Sequence, residues 1–113
     1  MNYTIEAPFT ISDQDKAMIE EKVNALTTYE SRITQVNIHF KEDDGHVEGG
    51  ILSRIVARVP GEDVLSSKVK MNAMSAFNES YKSLKRQIKD RREQLNDHRS
   101  EIKEINEIVN NTY

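Results

Sequence analysis

The sequence contains no cysteine. That excludes disulfides, thiolate metal ligands and a cysteine nucleophile, and it fits a reducing, cytoplasmic setting. It has no apolar run long enough to cross a membrane, for which about 18–20 residues are needed. The opening Met1-Asn2-Tyr3-Thr4-Ile5-Glu6 lacks a basic stretch followed by an apolar one, so no secretory signal is expected there. No glycine-rich phosphate loop is present, because Gly49-Gly50 precedes a strand pattern and not a helix. An excess of positive charge is missing too: the net charge is −3, which at first sight argues against a polyanionic partner. With 113 residues, 36% hydrophobic and 31% charged, the chain suits one domain around one modest core.

The hydrophobic pattern supplies six elements. Tyr3, Ile5 and Ala7 alternate with Asn2, Thr4 and Glu6, the period of a half-buried strand. Ser12-Asp13-Gln14-Asp15 offers an N-cap hydroxyl and first-turn acids. Ile19, Val23 and Leu26 follow as an apolar stripe, giving a helix that ends near Tyr29. Residues 32–41 read as a second strand with Val36, Ile38 and Phe40 on one face and Asn37, His39 and Lys41 on the other, followed by an acidic turn around Gly45. A third strand is expected over 50–59, with Ile51, Ile55, Ala57 and Val59 opposite Arg54 and Arg58. Pro60-Gly61-Glu62-Asp63 then turns into a fourth strand over 63–70. From Asn72 onward Met74, Phe77, Tyr81, Leu84 and Ile88 step by three and four as a second helix.

This order, β-α-β-β-β-α, predicts an α+β fold. Three strands joined by short turns make an antiparallel meander, and the first strand, joined by a helical crossover, runs parallel to a neighbour. Two amphipathic helices then cover one face of a four-stranded mixed sheet, and the face carrying Asn37, His39, Arg54 and Arg58 stays wet. Residues 1–92 form this domain; residues 93–113 are expected as a C-terminal helical extension or flexible tail, in which Leu95, Ile102, Ile105 and Val109 keep heptad spacing suited to self-association or a partner helix.

The net charge conceals an asymmetry. Residues 82–92 carry Lys82, Lys85, Arg86, Lys89, Arg91 and Arg92 against Asp90 alone, while the acids lie in the first half and the tail. Charges farther apart than a Debye length of about 8–10 Å are screened from one another, so a local basic surface can attract phosphates on an acidic chain. Lysines near a helix C-terminus also complement the helix dipole, which alone would explain a shorter run. Lys82, Lys85, Arg86 and Lys89 share one helix face opposite Leu84 and Ile88, a row suited to phosphate contact. Arg54, Arg58, Lys68 and Lys70 extend this surface or serve as exposed, edge-protecting strand positions, Lys68 and Lys70 being the better candidates because they lead into the basic helix.

Catalytic chemistry finds no support in the residues. His39, His46 and His98 are scattered without ligand spacing, and Asp43-Asp44-Gly45 has part of a calcium loop's acids but not its later glutamate. Ser66-Ser67 has no histidine partner that the pattern supplies, and Phe77 and Tyr81 sit at core spacing, not as base-stacking groups. No catalytic residue, metal site, cofactor or small-molecule substrate is therefore expected.

The residues resemble a known family, the ribosome hibernation-promoting factors and ribosome-associated translation inhibitors. The resemblance rests on the element order and on four segments in sequence: Ile11-Ser12-Asp13 through Glu20-Glu21-Lys22-Val23 and Leu26; Arg32-Ile33-Thr34-Gln35-Val36; Val59-Pro60-Gly61; and Ser75-Ala76-Phe77 through Leu84 and Arg86-Gln87-Ile88. It covers roughly residues 2–92, with Asn72 and Asn78 where the family usually has aspartate and Lys82 where it has an acid. It implies a fold similar to double-stranded-RNA-binding domains, no enzymatic activity, and a site between head and body of the small ribosomal subunit where messenger and transfer RNA bind. Matched residue by residue, it implies rRNA phosphate contacts for Lys22, Arg32, Arg86, Lys89, Arg91 and Arg92; the charge pattern adds Lys68, Lys82 and Lys85. The tail is shorter than the dimerising domain of the family's long form.

Overall fold

The computed structural model describes residues 2–43 and 50–91. Strands β1 (Asn2–Glu6), β2 (Gln35–Asp43), β3 (Gly50–Val59) and β4 (Glu62–Lys70) lie in that order in one sheet. β1 pairs parallel with β2, and β2–β3 and β3–β4 pair antiparallel. Helix α1 (Asp13–Tyr29) is the crossover from β1 to β2, and helix α2 covers residues 73–91. The expected order, meander and parallel crossover are all present.

Local chemistry explains the boundaries. Ser12 has extended backbone, its hydroxyl accepts the Asp15 amide at 3.1 Å, and Asp13 and Asp15 occupy the first turn of α1. Asn72 does the same for α2: its Oδ1 accepts the Ser75 amide at 2.8 Å and its carbonyl accepts the Ala76 amide at 3.1 Å. Pro60 and Gly61 alone join β3 to β4. Gly61 has φ +90, so Pro first and Gly second give the pattern of a type II turn.

One boundary differs from the sequence expectation. β2 runs Gln35–Asp43 and not 32–41. Glu30 captures the preceding residues: its carboxylate accepts the Arg32 amide at 3.0 Å and the guanidinium at 2.9 and 3.1 Å. That local bonding holds residues 30–32 in a turn and delays the ladder, although Ile33 is still buried.

Cross-strand partners share a face. Val36 opposite Ala57, Ile38 opposite Ile55 and Ala57 opposite Val64 define the inner one. Ile19, Val23 and Leu26 of α1 and Phe77, Tyr81, Leu84 and Ile88 of α2 join these residues in a single buried cluster. Burying a side chain of this size contributes about 1.5–3 kcal/mol. The outer face is polar on its β1–β2 side, with Thr4 donating to Asn37 Oδ1 at 2.8 Å, Gln35 donating to the same oxygen at 2.9 Å, and His39 Nδ1 lying 3.0 Å from Glu6 Oε2, while on its β3–β4 side Val56 opposes Leu65 and Leu52 opposes Val69.

The helices share a direction. α1 leaves the end of β1 and returns to the start of β2, so it runs antiparallel to both. α2 leaves the end of β4, and its Arg91 reaches the Pro60 and Glu62 carbonyls at the start of β4, so it too runs back along the sheet. Both helix C-termini therefore lie at the end of the sheet that holds the β3–β4 turn.

Candidate nucleic-acid interface

At about 100° per residue, α2 turns three different faces to its surroundings. Phe77, Tyr81, Leu84 and Ile88 go to the core. Lys82, Arg86 and Lys89 are exposed and Lys85 is half-buried on the flank toward α1. Together these four line a shallow depression whose remaining wall is Asp90. Gln87 and Arg91 lie on the flank toward β4, where Gln87 donates to the Leu65 carbonyl at 2.9 Å.

The groove between the helices is aromatic and cationic. Lys85 and Lys89 place their ammonium nitrogens 5.1 and 4.8 Å from the ring centroid of Tyr29, the last residue of α1. In the opposite sense Lys22 of α1 stands 5.0 Å from the Tyr81 ring on α2. These are cation–π distances, worth about 0.5–1 kcal/mol each at exposed sites. Burial pushes the Tyr81 phenol above its ordinary value, and the neighbouring Tyr29 raises it further, so Tyr81 stays protonated and adds no negative charge beneath Lys22.

Glu20 of α1 lies on the β1 side: burial, and after it the negative charge of Glu20, raise the Tyr3 phenol above its ordinary value. Lys22 and Tyr29, seven residues apart, share the flank toward α2. Among the described residues no carboxylate pairs with Lys22, Lys85, Arg86 or Lys89. Lys82 lies 3.8 Å from Glu79, an exposed contact of small energetic consequence.

The family model described as Sigma 54 modulation protein / S30EA ribosomal protein matches residues 5–96. The chain belongs to this ribosome-associated family. No curated protein matches it. Solved structures share the fold, these two among them. The N-terminal domain of Protein Y from Thermus thermophilus has a TM-score of 0.66 at 18% identity, covering 80% of this chain and 98% of that one. A ribosomal subunit interface protein from Coxiella burnetii has a TM-score of 0.68 at 13% identity, covering 81% and 98%.

In this S30EA family member the structure sorts the residues singled out from the sequence. Lys22, Lys85 and Lys89 come together along the α1–α2 groove, and Lys82 and Arg86 join Lys85 and Lys89 around the adjoining depression on α2. Arg91 does not join them: it half-buries against the β3–β4 turn, 3.3 Å from the Pro60 carbonyl and 3.5 Å from that of Glu62. Arg32 is held by Glu30 in a two-point ion pair that keeps its guanidinium charged. Arg54 and Arg58 do not extend the surface of Lys68 and Lys70, because Lys68 opposes Ser53 and Lys70 opposes Ile51 on the helix-covered face while Arg54 and Arg58 point to the outer face. Lys68 and Lys70 also lie at the N-terminal end of α2, away from its basic half. Arg92, His46, His98 and residues 93–113 lie outside the described residues. Tyr29 is the functional candidate that the sequence pattern did not single out. Its i+7 spacing from Lys22 was the available signal. No group of three or more histidines and carboxylates among the described residues is placed to hold a metal ion, and none of the helices described is long and apolar enough to cross a membrane.

Proposed function

We propose that this chain binds the small ribosomal subunit through rRNA phosphates and inhibits translation by occupying the decoding region, in the manner of a ribosome hibernation factor. The observation that carries this reading is the placement of Lys82, Lys85, Arg86 and Lys89 around one exposed depression of α2, with Asp90 as its single acid and Lys22 on the neighbouring α1, in a domain of the S30EA family. Lysine offers phosphate a compact charge with rotatable donors, and Arg86 adds a fork that grips two oxygens at once. Such a surface reads the shape and backbone of folded RNA and not its base edges, which are hard to reach in an A-form major groove. Inhibition then needs no catalytic group: a domain seated where messenger and transfer RNA bind excludes them by volume. One of the structures that share the fold, a ribosomal subunit interface protein, supports a ribosomal partner. Arg32, which follows α1, is a further candidate phosphate contact, Lys68 on β4 is a separate and more distant one, Arg91 supports the β3–β4 hairpin, and Arg92 continues the basic run in the sequence.

The test is sedimentation of the protein with purified small subunits, with and without messenger and transfer RNA. The wild-type chain pellets with small subunits and is displaced by the translating ligands. The doubly reversed Lys85→Glu/Arg86→Glu chain stays in the supernatant while keeping its thermal unfolding midpoint. Failure of the wild type to pellet at low salt removes the proposal. Co-pelleting that translating ligands do not affect removes the occlusion mechanism.

A further inference from the structure

Lys85 and Lys89 are one helical turn apart, and both ammonium groups lie about 5 Å from the same ring, at 5.1 and 4.8 Å from the Tyr29 centroid. Two cations brought to one point repel. Something must offset that repulsion, and the usual device is a carboxylate between them. Here the place is taken by a tyrosine. The difference matters chemically: a carboxylate neutralises the ammoniums and competes with any incoming anion, whereas the face of an aromatic ring attracts cations through its quadrupole and leaves their charge and N–H donors unspent. The third lysine of the groove, Lys22, is held the same way over Tyr81 at 5.0 Å, so the arrangement is repeated across the two helices in both directions.

We propose that Tyr29 is a positioning residue that presets Lys85 and Lys89 as a phosphate clamp, holding two long side chains in place before the anion arrives without neutralising them. The proposal rests on the ribosomal reading above for the identity of the phosphate, but its physical content is the coupling of Tyr29 to the two lysines. A free lysine loses rotamer freedom when it binds, a penalty that ordering it in advance reduces. Removing the ring therefore weakens phosphate binding even though Tyr29 touches no phosphate itself. The predicted loss is about three- to tenfold, the size of one to two such ordering penalties.

Two measurements test this on the full chain. In the first, NMR of the lysine side chains reads the ring current. The Hε signals of Lys85 and Lys89 lie upfield in the wild type and in Tyr29→Phe, which keeps the ring, and return to ordinary positions in Tyr29→Leu. Ordinary positions in the wild type, or upfield positions that survive in Tyr29→Leu, overturn the proposal. The second is a mutant cycle on small-subunit affinity. Tyr29→Leu loses about three- to tenfold and Tyr29→Phe restores binding. In a Lys85→Gln/Lys89→Gln background Tyr29→Leu has no further effect. Unchanged affinity for Tyr29→Leu, or an equal loss in both backgrounds, overturns the positioning role. If the wild type does not bind small subunits, the ribosomal reading fails and the same cycle is read with tripolyphosphate as the ligand. Coupling there upholds the clamp without the ribosome, and additivity sinks it.

Discussion

Two hydroxyls sit where the core would be expected to hold methyl groups. Ser53 of β3 and Ser80 of α2 are fully buried, with their oxygens 3.0 Å apart. Ser80 also donates to the Phe77 carbonyl at 3.0 Å, so its proton is committed and Ser53 must be the donor between the two. That asymmetry gives unequal costs. Ser53→Ala leaves Ser80 with its carbonyl partner and lowers stability by about 0.5–1 kcal/mol, whereas Ser80→Ala strands the Ser53 hydroxyl and costs about 1–3 kcal/mol. The double alanine variant recovers part of the second loss. Urea unfolding of the three variants checks the order, and equal losses for the single variants contradict it. Neither serine was legible as a core residue. The alternation of β3 places position 53 on the inner face between Ile51 and Ile55, but a polar side chain there breaks the apolar pattern, and only the contact with α2 explains it. Tyr29 escaped notice for a related reason. It ends a helix, where a sequence pattern offers no register beyond it, and its importance comes from lysines on a helix more than fifty residues later.

At the level of elements the sequence was far more informative. β3 and the start of α1 fall where alternation and the Ser12 cap place them, because both signals are local and act within a few residues. The start of β2 was misplaced because a side chain, Glu30, competes with the ladder for the Arg32 backbone. The faces of α2 were legible in principle. Arg91 occupies a position that continues the apolar stripe, and the helical period sets it well away from Lys82 and Arg86; the run of like charges hides this when counted along the chain. Since α1 carries both Lys22 and Tyr29, its cap supports the candidate interface directly. Ser12→Ala removes the acceptor for the Asp15 amide and lowers stability by about 1 kcal/mol, a fall of about 4–8 °C in the unfolding midpoint for a domain of this size. Ser12→Asp, which keeps an acceptor and adds favourable charge at the helix N-terminus, holds the midpoint within a degree or two of wild type. Thermal unfolding by circular dichroism distinguishes these outcomes, and a Ser12→Ala midpoint equal to wild type denies the cap any weight.

For the whole molecule, the proposed function requires a chain with net charge −3 to bind a polyanion. Glu20 of α1 lies beside Tyr3, while Lys82, Lys85, Arg86 and Lys89 gather on α2 around a depression with one acid, Asp90. That local excess of positive charge is a feature of the helix surface that composition cannot reveal. The surface acts at short range. Beyond a Debye length of about 8 Å at physiological salt charges are largely screened, so a phosphate surface must come close to the basic helix to be held. The salt dependence measures this. If Lys22, Lys82, Lys85, Arg86 and Lys89 each displace a counterion, log affinity for small subunits falls linearly with log salt with a slope of about −3.5 to −4.5, about two to three orders of magnitude in affinity between 50 and 200 mM. Lys85→Gln makes the slope shallower by about one. Arg54→Gln, which removes an equal charge from the outer face of the sheet, leaves it unchanged. Net charge alone would make the two substitutions equivalent, so equal slopes for Lys85→Gln and Arg54→Gln would show that the total charge and not the helical groove governs binding.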